Sequence, residues 1–202
     1  MEKMFFSIHG NVDSQVYEEF FSFVERVIKN KAKEIVIIIN SNGGEITYGL
    51  AIYDLLMALD IEITTIAVGK CRSIATVIFA AGKKRFITKN CYFLIHGISV
   101  NIEKERLNAR AARELLESID EDNKRILQCY FNTPEFNTNR MFFKELFNSG
   151  NDLEYTPEEV VELGFATDIL NAINDVVNIN WVAKKYFLFP RIFSGIFRSF
   201  SF

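Results

Sequence analysis

Residues 33–69 read KEIVIIINSNGGEITYGLAIYDLLMALDIEITTIAVG. The first eight, KEIVIIIN (33–40), are a β-branched run too short for a helix, so they are expected to form a buried, parallel strand. SNGG (41–44) reads as a turn. EITYGLAIYDLLMALD (45–60) has helical spacing with apolar residues on most sides, so this helix is expected to be buried. IEITTIAVG (61–69) returns to strand. A strand–helix–strand unit of this length is a crossover between parallel strands, and it sets the class of the whole domain.

The pattern extends both ways from this unit. MFFSIHG (4–10) is a short apolar strand ending in Gly10. DSQVYEEFFSFVERVIKN (13–30) places Val16, Phe20, Phe23, Val24 and Val27 on one helical face, with Asp13 or Ser14 as cap. Downstream, SIATVIFAAG (73–82) reads as a small-residue helix closed by Gly82 as C-cap, and KRFIT and CYFLIHG read as two more strands. Strands and helices therefore alternate through residue 97, which predicts an α/β domain with a mostly parallel sheet. Residues 101 to about 131 then become charge-rich and helical, a solvated face with one packing stripe. NTPEFNTN (132–139) is a loop and RMFFKELFNSG (140–150) a short helix. TPEEVVELG (156–164) carries Thr156 as N-cap, Pro157 at the first helical position, Glu159 for a capping box and Gly164 as stop. FATDIL is a last short strand.

The chain has 202 residues, 49% of them hydrophobic, enough for one cored domain with an appendage. Its formal net charge is −3, so no sequence-wide basic surface argues for nucleic acid. Cys71, Cys91 and Cys129 are sparse and lack the spacing of a disulfide framework or zinc site, which fits a reducing, cytoplasmic setting. No stretch has the pattern of a signal peptide, and none reaches the ~18 apolar residues of a spanning helix.

In open α/β sheets functional residues gather at the carboxyl ends of strands. Three such ends stand out: NSNGG, GKCRS and LIHG. Arg72 and Ser73 sit at the mouth of an apolar helix, whose first N–H groups lack helical partners and carry partial positive charge. A serine there suits attack on a carbonyl, because the oxyanion that forms is stabilised. The N–H of Ile74 is one candidate donor, and the N–H of Gly44, where no side chain blocks approach, is a second. A serine at a helix start is otherwise an ordinary cap. The base must be one of two histidines. His9 closes an early strand; His96 closes a strand of the same unit as Ser73. The orienting carboxylate is open, since Asp152 is one of 26 acidic residues.

Four segments carry a resemblance. INSNGGEITYGLAIYD resembles INSPGG…GMAIYD of the proteolytic subunit of the Clp protease. GKCRSIAT is similar to that family's serine motif GQAASMGA, NCYFLIHG to NSRVMIHQ, and DLEYTPEEVVELGFATDIL to DRFLSAEEAVEYGLVDEVL without a gap. From about Phe5 to Leu170 the chain looks like this family. The resemblance implies the Clp protease/crotonase fold over 1–170, with a helical handle at about 98–150. It implies a serine endopeptidase with Ser73 as nucleophile, His96 as base, Asp152 as third member, and Gly44 and Ile74 as oxyanion donors. It also implies peptide or unfolded-protein substrates, no cofactor or metal, a homo-oligomeric ring, and an AAA+ unfoldase as the kind of partner the family uses.

The departures bear on those expectations. Asn42 replaces a proline, Arg72 a small residue, Ala75 a glycine, and Asn151 an arginine that pairs rings. GISVNIEKERL replaces a glycine-rich segment that helps two rings meet, so a single or loosely paired ring is expected. The family's N-terminal pore and docking segment is expected to be missing, and with it strong engagement of an unfoldase. Arg72 reads as a solvated or subunit-facing charge. Residues 171–202 form an apolar and basic amphipathic extension, expected to dock on another chain, on its own domain or on a membrane surface. Two alternative functions stay open: a Clp-like subunit that assembles or binds without cleaving, and an acyl-CoA enzyme of the crotonase fold, which has no need of Ser73, His96 and Asp152 together.

Overall fold

The structure is a computed structural model that describes residues 3–98, 108–133, 135–136, 143, 145, 147 and 149–171. The chain separates into two compact units, Met1–Ile169 and Leu170–Phe202. The extension expected to dock lies, apart from Asn171, outside the described residues. So does most of the segment GISVNIEKERL.

The elements run β1 (Lys3–Val12), α1 (Ser14–Lys29), β2 (Glu34–Gly44), α2 (Ile46–Ala58), β3 (Glu62–Arg72), α3 (Ile74–Ala80), β4 (Lys84–Thr88), β5 (Tyr92–Ile95), α4 (Ala109–Phe131), β6 (Leu153–Tyr155), α5 (Pro157–Glu162) and β7 (Asp168–Leu170). Phe143, Glu145, Phe147 and Ser149 are also helical. The described residues form a seven-stranded sheet with the order β1-β2-β3-β4-β7; β5 pairs with β3, and β6 with β5. β1, β2, β3 and β4 are joined by parallel pairings, as the β-branched run at 33–40 predicts. α1 packs on α2, α2 on α3 and α3 on α4.

Local chemistry explains the helix ends. Asp13 caps α1 by accepting the Val16 N–H at 3.0 Å, and Phe20, Phe23, Val24 and Val27 form its buried stripe. Phe20 and Phe23 meet Phe6 of β1 at ring distances of 5.3 and 5.2 Å; such pairs add about 0.5–1.5 kcal/mol to simple burial. At α5 the capping box is complete: Thr156 Oγ1 accepts the Glu159 N–H, and the Glu159 carboxylate accepts the Thr156 N–H at 2.8 Å. Gly164 follows with φ +78, the left-handed stop that glycine tolerates. A second aromatic cluster joins the later part of the chain to the sheet. Phe165 lies within 6 Å of Phe93, Tyr130, Phe136 and Phe143, ring centre to ring centre.

Three expectations are corrected. SNGG is not a turn. It continues β2, because β1 supplies partners as far as Asn11↔Gly43 and Val12↔Gly44 after a register shift at Gly10. Gly82 is not the C-cap of α3. Ala81 takes that position in ordinary helical geometry, and Gly82 is needed for space, since a Cβ there would lie 2.3 Å from Thr65 Oγ1. α2 is buried on one face only, through Gly49, Ile52, Tyr53 and Leu56, and Met57 is exposed. β6 pairs antiparallel with β5 and has no counterpart in the expected strands.

All three cysteines are free and buried. Among the described residues no helix is long and apolar enough to cross a membrane.

Candidate active site

The site is built where β3 ends. The strand pairs with β4 over Thr64–Ala67 and then, past Gly69, with β5 over Lys70–Arg72. Gly69 takes φ +64 at this change of partner, and a Cβ on it would press on the Asn40 amide at 2.9 Å. The next residue after β3 is Ser73, with φ 54 and ψ −131. A left-handed φ on a non-glycine residue costs about 1–3 kcal/mol and survives only where the surroundings impose it. Here they do. The Ser73 N–H donates to the Leu94 carbonyl of β5 at 2.9 Å. The Ser73 carbonyl accepts from the Thr76 N–H at 2.9 Å and from Thr76 Oγ1 at 2.6 Å. The serine side chain makes no cap bond to the helix.

β2 presses on this turn from the side. A Cβ on Gly43, which has φ +94, would sit 2.7 Å from Ser73 Cβ and 2.8 Å from the Arg72 carbonyl. A Cβ on Gly44 would lie 2.3 Å from the Val12 carbonyl. The glycine pair thus lets β2 run between β1 and the serine turn. Gly49 does the same for α2, where a Cβ would meet Ile74 Cγ1 at 2.1 Å.

The structure brings Ser73, His96, Gly44 and Ile74 to the wall of one cavity of about 230 Å³. Ile46, Val77, Ile98, Ile126 and Tyr130 add apolar surface to it. His96 follows β5, and its Nδ1 lies 3.9 Å from Asp152 Oδ1, just ahead of β6. That distance is too long for a hydrogen bond. The His96 side chain is 24% exposed and the Asp152 side chain 67%. Arg72 is neither free nor fully solvated: its Nη2 reaches the Glu154 carboxylate of β6 at 3.5 Å. This pair ties β3 to the strand that follows Asp152. His9 is exposed on β1 and does not line the cavity.

Several residues around the site carry no mark in the sequence reading. Gly43 is one, hidden inside an apparent turn. Thr76 is another; its hydroxyl is the only polar side-chain group in SIATVIFAAG after Ser73, and it meets the Tyr130 hydroxyl at 2.7 Å. Asn123 is a third, accepting the Ile98 N–H at 3.2 Å just beyond His96. Among the described residues no group of three or more His, Cys, Asp or Glu side chains is placed to hold a metal ion.

A model of the Clp protease family matches residues 1–172. The chain is similar to curated proteins of the same kind. It is 34% identical over 91 residues to an ATP-dependent Clp protease proteolytic subunit of Carsonella ruddii, covering 44% of this chain and 47% of that one. It is 28% identical over 162 residues to proteolytic subunit 3 of Streptomyces avermitilis, covering 79% and 70%. It is 32% identical over 95 residues to proteolytic subunit 2 of Bifidobacterium longum, covering 44% and 46%. The aligned stretch thus spans about half the length of two of these relatives and 70% of the third. The family match runs through every strand of the sheet, from β1 to β7, and the chain belongs to the Clp protease family.

Proposed function

We propose that the protein is a serine endopeptidase that cleaves peptides or unfolded polypeptides, with Ser73 as nucleophile, His96 as general base and Asp152 as the carboxylate that orients it. One observation carries this reading: Ser73, His96, Gly44 and Ile74, arriving from three strand ends and a helix start, line one cavity. Ser73 Oγ attacks the scissile carbonyl while His96 Nε2 takes its proton; Nδ1 faces Asp152 and leaves Nε2 for this task. The oxyanion is held by the N–H groups of Gly44 and Ile74. Collapse breaks the C–N bond, and the departing amine takes the proton from His96. Water then attacks the acyl-serine and gives a proton to His96; collapse breaks the acyl C–Oγ bond, and His96 returns the proton to Ser73 Oγ as the acid product leaves. The side chains of Ile46, Val77, Ile98 and Ile126 favour an apolar residue of the substrate beside the scissile bond.

A fluorophosphonate tests this directly. Ser73 is expected to be acylated, and Ser73→Ala to abolish both labelling and cleavage of short fluorogenic peptides, a loss on the order of 10⁶ in turnover. Equal activity in the two proteins would refute the assignment.

One observation favours a second reading, a subunit that binds without cleaving: the 3.9 Å gap between His96 and the largely exposed Asp152. In that case Ser73 stays unlabelled while the protein still assembles.

A further inference from the structure

Helix α4 touches the site at two points. Near its C-terminal end the Tyr130 hydroxyl meets Thr76 Oγ1 at 2.7 Å, and Thr76 Oγ1 donates to the Ser73 carbonyl at 2.6 Å. Two turns earlier, Asn123 Oδ1 accepts the Ile98 N–H at 3.2 Å, two residues past His96. Positions 123, 126 and 130 share one helix face, and Ile126 and Tyr130 both line the cavity. One rigid element therefore grips the segment behind the serine and the segment behind the histidine.

We propose that α4 sets the spacing of Ser73 and His96, with Tyr130 acting through Thr76 and Asn123 acting through Ile98 as positioning residues. This rests on the reading of Ser73 and His96 given above. The direction of the first relay follows from proton counting. A threonine hydroxyl has one proton, and Thr76 gives it to the Ser73 carbonyl. Tyr130 must then donate to Thr76. Tyr130 is 1% exposed, and burial pushes its phenol well above the ordinary value, so it keeps that proton throughout the working pH range. The Ser73 carbonyl, on a residue with φ 54, is thus held from a helix more than fifty positions away in the chain. The family serine motif GQAASMGA has alanine where this chain has Thr76, so the relay belongs to this sequence.

The test uses Tyr130→Phe and Thr76→Val, which remove one hydroxyl each, and Thr76→Ser, which keeps it. Two quantities are read in the full chain: the rate of Ser73 acylation by a fluorophosphonate with the kcat and KM of peptide cleavage, and the deuterium exchange of the backbone around residues 72–77. Tyr130→Phe and Thr76→Val are expected to lower the acylation rate and kcat about tenfold with KM little changed. They are also expected to speed exchange at 72–77 while leaving β1 and β2 unaffected. Thr76→Ser should match the parent, and the double variant should be no worse than Thr76→Val. Asn123→Leu should lower kcat similarly, and Asn123→Asp, which keeps the acceptor, should not. Rates within twofold of the parent together with unchanged exchange would overturn the proposal. If the parent itself is not acylated, the peptidase reading fails and exchange alone decides: faster exchange at 72–77 in Tyr130→Phe supports the relay, and unchanged exchange overturns it.

Discussion

Ser73 is held in a strained conformation by neighbours that leave no slack, and Gly43 is the tightest of them. A methyl group there would meet both the Ser73 Cβ and the Arg72 carbonyl, on a backbone with φ +94. Gly43→Ala is therefore expected to cost about 1–3 kcal/mol in stability and to depress acylation of Ser73 further than that loss explains. Chemical denaturation and labelling kinetics on the same samples check this. The sequence points to Gly44 as an oxyanion donor and leaves Gly43 as half of a turn, because a glycine pair followed by a helix looks the same whether the chain reverses or runs straight on beside another strand. Ser73 alone reads as a helix cap, and only its register with His96 and Asp152 in a family pattern lifts it out of that reading. Arg72 is invisible in a different way. Its partner, Glu154, lies on a three-residue strand whose existence depends on β5. No local signal in LEY announces a strand.

Among the elements, α5 was the most legible. Thr156, Pro157, Glu159 and Gly164 each act through the backbone next to them, and local chemistry needs no tertiary context. Thr156→Ala removes one side of the capping box and is expected to lower stability by about 1 kcal/mol. A thermal melt should show this as a drop of a few degrees with acylation of Ser73 retained. α1 was legible for the same reason, from its apolar stripe and Asp13. For α2 the apolar residues on most sides imply burial all round, whereas the buried positions are Gly49, Ile52, Tyr53 and Leu56, all on one face. In the single chain Met57 stands exposed, as do Phe21 and Ile28 of α1. Single exposed apolar side chains of this kind are ordinary on a protein surface, so the homo-oligomeric assembly that the family resemblance implies needs a test of its own. Sedimentation velocity at micromolar concentration should show a species well above the 23.3 kDa chain. A monomer would refute assembly, whereas a stable double ring would refute only the looser pairing expected from GISVNIEKERL and Asn151.

At the scale of the whole molecule, Arg85 binds the pieces together. It is 1% exposed, and its guanidinium donates to the carbonyls of Phe165 and Gly82, each at 2.7 Å, and to the Glu135 carboxylate at 2.6 Å. The sheet, the loop after α4 and the turn after α5 thus share one cation. Arg85→Met leaves those carbonyls buried without donors, at about 1–3 kcal/mol each. Glu135 is held below its ordinary value of 4.5 by that guanidinium, chiefly through the hydrogen bond. A depressed carboxyl stabilises the fold above its unfolded value and loses that contribution as pH falls through the folded one. The parent should therefore lose more stability than Glu135→Gln between about pH 5 and pH 3, by roughly 1 kcal/mol or less because the carboxylate is half exposed. Equal acid sensitivity would contradict this. A buried arginine sitting in KKRF gives no sign of its burial in sequence, where it reads as one more surface charge.

The three thiols make this molecule its own reporter. Burial drives Cys129 up to about 11 and Cys91 up to about 12, and holds Cys71 well above the ordinary thiol value. An alkylating agent attacks thiolate, so at neutral pH the closed protein offers it almost nothing. Each cysteine then reacts only during an opening, and the ratio of its rate to that of the unfolded chain measures how often its own neighbourhood opens. Cys71 sits two residues before Ser73 on β3, Cys91 precedes β5, and Cys129 is on α4. Three clocks thus run in one tube, one beside each arm of the proposed catalytic frame, and a peptide bound at Ser73 should slow the first of them most.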